Sequence, residues 1–207
     1  MRTARRLFLL TALAAATTFC GDLSRASRSP VYLVIDALQA AQGNKPATFG
    51  GSLFSDVQTL VTTPAPCSVT SPCATVFNDI GQVQLRVSVK DVGVPSFNLS
   101  PNVNNEVTIT RYHVVYRRSD GRNTPGVDVP FPFDGAFTIN VPGAGSTGSF
   151  ELVRHIAKEE SPLVQLISGR TIITTIADVT FYGHDRVGNE VSVTGSITID
   201  FGNFGDS

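Results

Sequence analysis

Three histidines are the side chains of this sequence whose ordinary titration falls near neutral pH. They are dispersed, at positions His113, His155 and His184. His184 stands beside Asp185, and with Asp178 and any of many serines it could be assembled into a Ser-His-Asp set. No G-x-S-x-G elbow selects a nucleophile, however, and no H-E-x-x-H helix offers metal ligands. Glu159 and Glu160 are adjacent, which suits a solvated corner better than two carboxyl groups facing across a glycosidase cleft. Gly143-Ala144-Gly145-Ser146-Thr147-Gly148 fits the dinucleotide pattern G-x-G-x-x-G letter for letter. That pattern cradles pyrophosphate only where a helix begins, inside a βαβ unit. The residues after it read as strand and no βαβ alternation occurs, so the glycines predict a flexible hairpin loop. The chemistry therefore predicts a non-catalytic chain with no cofactor.

Asp120, Asp128, Asp134, Asp185 and Asn189 sit at expected strand ends, where oxygen ligands for calcium gather in extracellular β-domains. None forms a compact D-x-D-x-D run, and turn geometry explains Asp and Asn at such places equally well. No metal site is expected. Cys67 and Cys73 flank a short loop rich in Ser and Pro, with no His or third Cys nearby, which predicts a local disulfide. Closing so small a loop restricts the unfolded chain by about 2 to 3 kcal/mol.

Two surface features suggest binding. Tyr116, Arg117 and Arg118, with Arg111, could form a surface for a sugar or an anionic polymer, or serve as edge charges that block sheet-to-sheet aggregation. Phe131 and Phe133, bracketed by Pro130 and Pro132, either cap an open end of the fold or dock a partner.

The amino terminus carries an address. Arg2, Arg5 and Arg6 precede an uncharged, mostly apolar run from Leu7 to Thr18. That run is shorter than the roughly 20 residues a membrane-spanning helix needs, and with its basic flank it reads as a secretory signal peptide over residues 1–19. Ala14-Ala15-Ala16 suits an ordinary signal peptidase, whereas Cys20, followed by Gly21 and Asp22, resembles the acylated first residue of a bacterial lipoprotein. Phe19 departs from the small residue that lipoprotein signals place there. The expectation is an acylated Cys20, a polar tether through residue 30, and one folded domain over 31–207. Removing the three early arginines leaves 13 basic against 17 acidic residues, a net charge near −4. That balance argues against binding nucleic acid, which needs a basic stripe.

The elements that must position these residues are strands. Val31 to Ile35 reads as a buried strand, followed by an Ala/Gln-rich stretch to Gln42 with the look of a helical turn. Val83 to Lys90 alternates apolar and polar residues without a fault, the period of a half-buried strand. Val107 to Arg118 places Ile109, Arg111, His113 and Val115 on one expected face and Thr110, Tyr112, Val114 and Tyr116 on the other. Asp120-Gly121 closes it as a hairpin turn. Phe137 to Val141 and Phe150 to Ala157 are expected strands. Ile172 to Asp185 and Val191 to Phe201 are long ones, joined by a tight turn at Asp185 to Asn189.

About seven to nine strands with Gly, Pro and Asn turns predict an all-β protein, either sandwich or barrel. Tyr112-His113-Val114-Val115-Tyr116-Arg117-Arg118 with Asp120-Gly121 resembles the central strand of fibronectin type III domains. Phe181 to Glu190 resembles the last hairpin of bacterial immunoglobulin-like repeats. The resemblance covers roughly residues 80 to 201 and implies an immunoglobulin-like antiparallel β-sandwich of the kind found in adhesins, accessory modules and periplasmic chaperones. It implies no activity. The expected function is that of an exported, lipid-anchored, non-catalytic structural or interaction module of the bacterial envelope. It would be held to the membrane by Cys20 and partnered by another envelope protein or a polysaccharide. A carbohydrate- or polymer-binding accessory domain is the alternative, and a secreted hydrolase the third reading.

Overall fold

The computed structural model describes residues 28–90, 101 and 103–204. The expected signal peptide over residues 1–19, Cys20 and residues 21–27 of the expected tether lie outside the described residues. Among the described residues there are ten strands: β1 (Val31–Ala41), β2 (Ser52–Asp56), β3 (Thr59–Val61), β4 (Cys73–Thr75), β5 (Asp79–Val89), β6 (Val107–Arg117), β7 (Phe133–Val141), β8 (Ser146–Val153), β9 (Ile173–Asp185) and β10 (Glu190–Gly202). They make a three-stranded sheet in the order β1-β5-β8, a five-stranded sheet in the order β2-β10-β9-β6-β7, and a small β3-β4 ribbon. The architecture is all-β and consistent with a β-sandwich. Tyr116 on β6 donates its hydroxyl to the Leu152 carbonyl on β8 at 2.7 Å, and the Tyr112 and Phe150 rings meet at 5.0 Å, so the two large sheets share one core. One pairing departs from the antiparallel expectation: β2 lies parallel to β10.

The Ala/Gln-rich stretch forms no helical turn. It extends β1 to Ala41, because Ala37 to Ala41 continue pairing with β5 past an irregularity between Ile35 and Ala37. The strand expected over Phe150 to Ala157 ends at Val153, and helix α1 (His155–Glu159) follows. The faces of β6 are also redistributed. A bulge between Ile109 and Arg111 turns both Thr110 and Arg111 outward, so Val107 and Ile109 join Tyr112, Val114 and Tyr116 on the buried side. One extra residue resets a period of two. The segment from Gly143 to Gly148 is a crossing between the two large sheets rather than a hairpin loop.

The core centres on rings laid over glycines. Tyr112, Phe137, Phe150 and Phe181 lie with ring centroids 5.0–6.3 Å apart, and Phe133 meets Tyr112 at 6.1 Å. A Cβ added at Gly81 would fall 2.4 Å from the Phe150 ring, one at Gly135 2.2 Å from Tyr112, and one at Gly148 2.5 Å from Phe137. The last glycine of the dinucleotide-like pattern is therefore a seat for a ring. Gly81→Ala drives a methyl group into Phe150, and such overpacking should destabilise the fold by about 1–3 kcal/mol. Urea unfolding of the variant checks this, and an unchanged midpoint would contradict the packing.

Two buried polar groups hold local segments to this core. Asp185 accepts the backbone N–H groups of Val187 and Asn189 at 3.1 and 2.8 Å and the Asn189 side-chain amide at 2.8 Å, which fixes the β9-β10 turn. Burial alone would raise its pKa, but the Asn189 donors, the Ser29 hydroxyl and the Val187 N–H together bring it below the ordinary value. A depressed carboxyl stabilises the fold above the unfolded value of about 3.9 and loses that stabilisation as pH falls through the folded value. Asp185→Asn should accordingly lose less stability than the parent chain between pH 6 and pH 3 in denaturant titrations. Equal losses in the two proteins would remove Asp185 from the acid response.

Lys158 on α1 is the second such group. Its ammonium is 1% exposed, lies 2.8 Å from Asp79 Oδ2, and donates to the Asp56 carbonyl at 2.9 Å. Asp79, also 1% exposed, accepts the Ser55 hydroxyl at 2.6 Å and the Gly43 N–H at 3.0 Å. This network fastens the short helix to the start of β5 and the end of β2.

Candidate ligand-binding face

The outward side of the five-stranded sheet is built by period-2 placement of polar residues on its long strands. β9 presents Thr174, Asp178, Thr180, Tyr182 and His184, while β10 presents Glu190, Ser192, Thr194, Ser196, Thr198 and Asp200. β6 adds Arg111, His113 and Arg117, and β7 adds Asp134. Register sets these side chains in rows. Asp134, His113, Thr180 and Thr194 follow one another across four strands, as do Arg111, Tyr182 and Ser192.

Neighbours within these rows are already paired. His113 Nδ1 meets Asp134 Oδ1 at 3.1 Å, and Thr180 and Thr194 share a hydroxyl hydrogen bond of 2.9 Å. Asp178 accepts from Arg117 Nε at 2.5 Å and from the Ser196 hydroxyl at 2.6 Å. Partial burial pushes the Asp178 pKa up, yet the Arg117 and Ser196 contacts outweigh it and hold the carboxyl below its usual range. Cross-strand pairing of this kind fixes rotamers before any ligand arrives.

At one end of the face is a shallow, solvent-open depression of about 510 Å³, lined by Thr110, Arg111, Tyr182, Gly183, His184, Gly188, Glu190, Val191 and Ser192. The Arg111 guanidinium lies over the Tyr182 ring, 3.8 Å from its centroid, and 3.6 Å from Asp134. The β6 bulge makes this stack: it turns Arg111 outward opposite Tyr182. The depression thus offers a held cation, an aromatic ring, a carboxylate and hydroxyl groups, a set suited to a polyhydroxylated ligand.

The residues singled out from sequence divide. Arg117 is on this face, paired with Asp178. Arg118 lies beyond the strand end and pairs with Asp120 at 2.7 Å. Tyr116 is no part of a surface, because its ring points into the core against Phe201, and burial raises its pKa strongly. Phe133 is likewise buried, with Arg154 4.4 Å above its ring. Phe131 is half-exposed and packs on Gly126, where an added Cβ would lie 2.4 Å from its ring. Of the loop carboxylates, Asp128 accepts the Thr124 N–H at 3.2 Å, and Asp120 is held below its usual pKa range by Arg118 and Arg122. Among the described residues, no three His, Cys, Asp or Glu side chains converge as metal ligands.

Cys67 and Cys73 form a disulfide, with Cα atoms 5.4 Å apart, as the spacing predicts. The bond is compatible with an exported protein. No helix among the described residues is long and apolar enough to cross a membrane.

Sequence reasoning overlooked Tyr182, Glu190 and Ser192. The signal that could have found them was present: polar residues at every second position of β10, and of β9 except at Ile176, mark one continuous solvated face. Comparison with known proteins found no family that matches this chain, no similar curated protein and no similar solved structure.

Proposed function

We propose that this chain is an exported, lipid-anchored, non-catalytic interaction module of the bacterial cell envelope, carried on an immunoglobulin-like sandwich. Its binding surface in this reading is the outward face of the five-stranded sheet. The observation that carries the reading is the prepaired polar lattice ending in the Arg111–Tyr182 depression. Ordered side chains lose little entropy on binding, so such a face supports recognition with few new contacts. Cys20 supplies the anchor, with two or more acyl chains giving firm attachment where one gives only reversible binding.

A polysaccharide partner is the second reading, and the depression favours it. An aromatic ring braced by a guanidinium, beside hydroxyls and Glu190, matches the alternation of apolar faces and hydroxyl edges on a sugar. Protein interfaces, by contrast, centre on an apolar patch depleted of charge.

The reading is tested in intact envelopes with the mature domain as bait. The parent domain should retain a partner that Arg111→Ala and Tyr182→Ala both release, while Phe131→Ala retains it. Capture that is indifferent to the first two substitutions would overturn the assignment of this face. Treatment of the envelope with protease or with periodate then separates a protein partner from a glycan. For the anchor, Cys20→Ser should move the folded protein to the soluble fraction. A mature chain that begins at Thr17 and carries a free Cys20 thiol would overturn lipidation.

A further inference from the structure

Lys158 and Asp79 take no part in the proposed binding face, and their surroundings are arranged for a reaction between them. The amine nitrogen is 2.8 Å from Asp79 Oδ2, with both side chains 1% exposed. The three other polar contacts each address a different atom. The Asp56 carbonyl accepts from Lys158 Nζ at 2.9 Å and aims the amine. The Gly43 N–H donates to Oδ1 at 3.0 Å, and the Ser55 hydroxyl donates to Oδ2 at 2.6 Å. Gly43 can approach so closely because it lacks a side chain, since a Cβ there would lie 2.1 Å from the Asn78 carbonyl oxygen.

We propose that Lys158 and Asp79 condense to an intramolecular amide, joining Nζ to Cγ with the loss of one water. A proton passes from the ammonium to the carboxylate, leaving a free amine and a neutral acid. Nζ then attacks Cγ, and the electron pair displaced from the carbonyl rests on Oδ1 under the Gly43 N–H, the position of an oxyanion donor. The second proton passes directly from Nζ to Oδ2, 2.8 Å away, the oxygen that also accepts the Ser55 hydroxyl, and Oδ2 departs as water. One N–H remains on the new amide. Atoms and charges balance without any oxidant or other reactant.

Three physical effects favour the step. Holding the amine against the carboxyl makes their encounter intramolecular. Burial raises the Asp79 pKa against the opposing pull of Lys158, Ser55 and Gly43, which favours the neutral acid that the step consumes. Condensation also removes two charges from a site where desolvation penalises both. The expelled water passes to solvent, and the dry site opposes the reverse hydrolysis.

The parent full-length chain decides the matter without a variant. Trypsin cuts after Arg154 and after a free Lys158, so an uncondensed chain releases residues 155–158 as a short peptide. The expected result is loss of that peptide and appearance of a branched species that joins the Lys158 and Asp79 segments. Its mass should be one water below their sum, and amine labelling in denaturant should leave Lys158 untouched. Lys158→Arg, checked for folding by circular dichroism, should yield no branched species. Full recovery of the 155–158 peptide from the folded parent protein, with Lys158 labelled, would overturn the proposal and leave a buried ion pair.

Discussion

Substituting Lys158 by alanine will lower the free energy of unfolding by about 3–5 kcal/mol, the range for removing one member of a buried ion pair. The Asp79 carboxyl would keep only Ser55 and Gly43 as donors in a site that is 1% exposed. The loss would also loosen α1 from the sheet, leaving it the His155–Asn78 hydrogen bonds, because Lys158 is the residue that reaches both Asp79 and the Asp56 carbonyl. A condensed amide adds to this effect, since a cross-link restricts the unfolded chain between positions 79 and 158. Guanidinium unfolding of Lys158→Ala against the parent measures the total. A loss below about 1 kcal/mol, the level of exposed pairs, would show that the network contributes no more than a surface contact.

Tyr112→Ala is expected to be as damaging, again about 3–5 kcal/mol, the range for deleting a buried aromatic ring. Tyr112 meets four phenylalanines, on β7, β8 and β9, so its removal opens a void where both large sheets meet. Gly135 beside it has no side chain with which to refill the space. Tyr112→Phe keeps the ring and gives up only the hydroxyl, whose pKa burial pushes up to about 12. That variant should lose about 0.5–1.5 kcal/mol, the net value of one hydrogen bond. Comparable losses in the two variants would mean that the hydroxyl rather than the ring organises the core.

The contrast on β6 between Ile109, which is buried, and Arg111, which faces outward, shows where sequence reading ends. Strict alternation over Val83 to Val89 was enough to place that strand and its buried face, because a strand with one wet side must repeat every second residue. The same logic located β9 and β10 and made an all-β protein legible. Spacing and composition alone also joined Cys67 to Cys73. On β6 the alternation holds only between irregularities. The bulge after Ile109 depends on how β7 and β9 lie alongside, and it decides that Val107 and Ile109 share the buried side with Tyr112 while Arg111 turns outward opposite Tyr182. No local pattern encodes that choice.

Other features were settled by tertiary packing for similar reasons. The glycines at 143, 145 and 148 imitate a nucleotide loop in sequence. Packing gives them separate tasks: Gly143 lies against Pro101, Gly145 takes a positive φ of 87° in the turn, and Gly148 seats Phe137. The Ala-rich end of β1 has side chains too small to favour strand by themselves, and pairing with β5 overrides that weak preference. Lys158 carries no sequence mark of burial. Charged residues are ordinarily solvated, and this lysine is enclosed only because Asp79, Asp56 and Ser55 converge from distant parts of the chain. Sequence by itself thus determined the long alternating strands β5, β9 and β10, the disulfide and the solvated side of the long hairpin, all of which follow from neighbours along the chain. Tertiary structure alone decided the Arg111–Tyr182 depression and the buried amine–carboxyl pair, because each joins residues that only sheet register and sheet packing bring within reach.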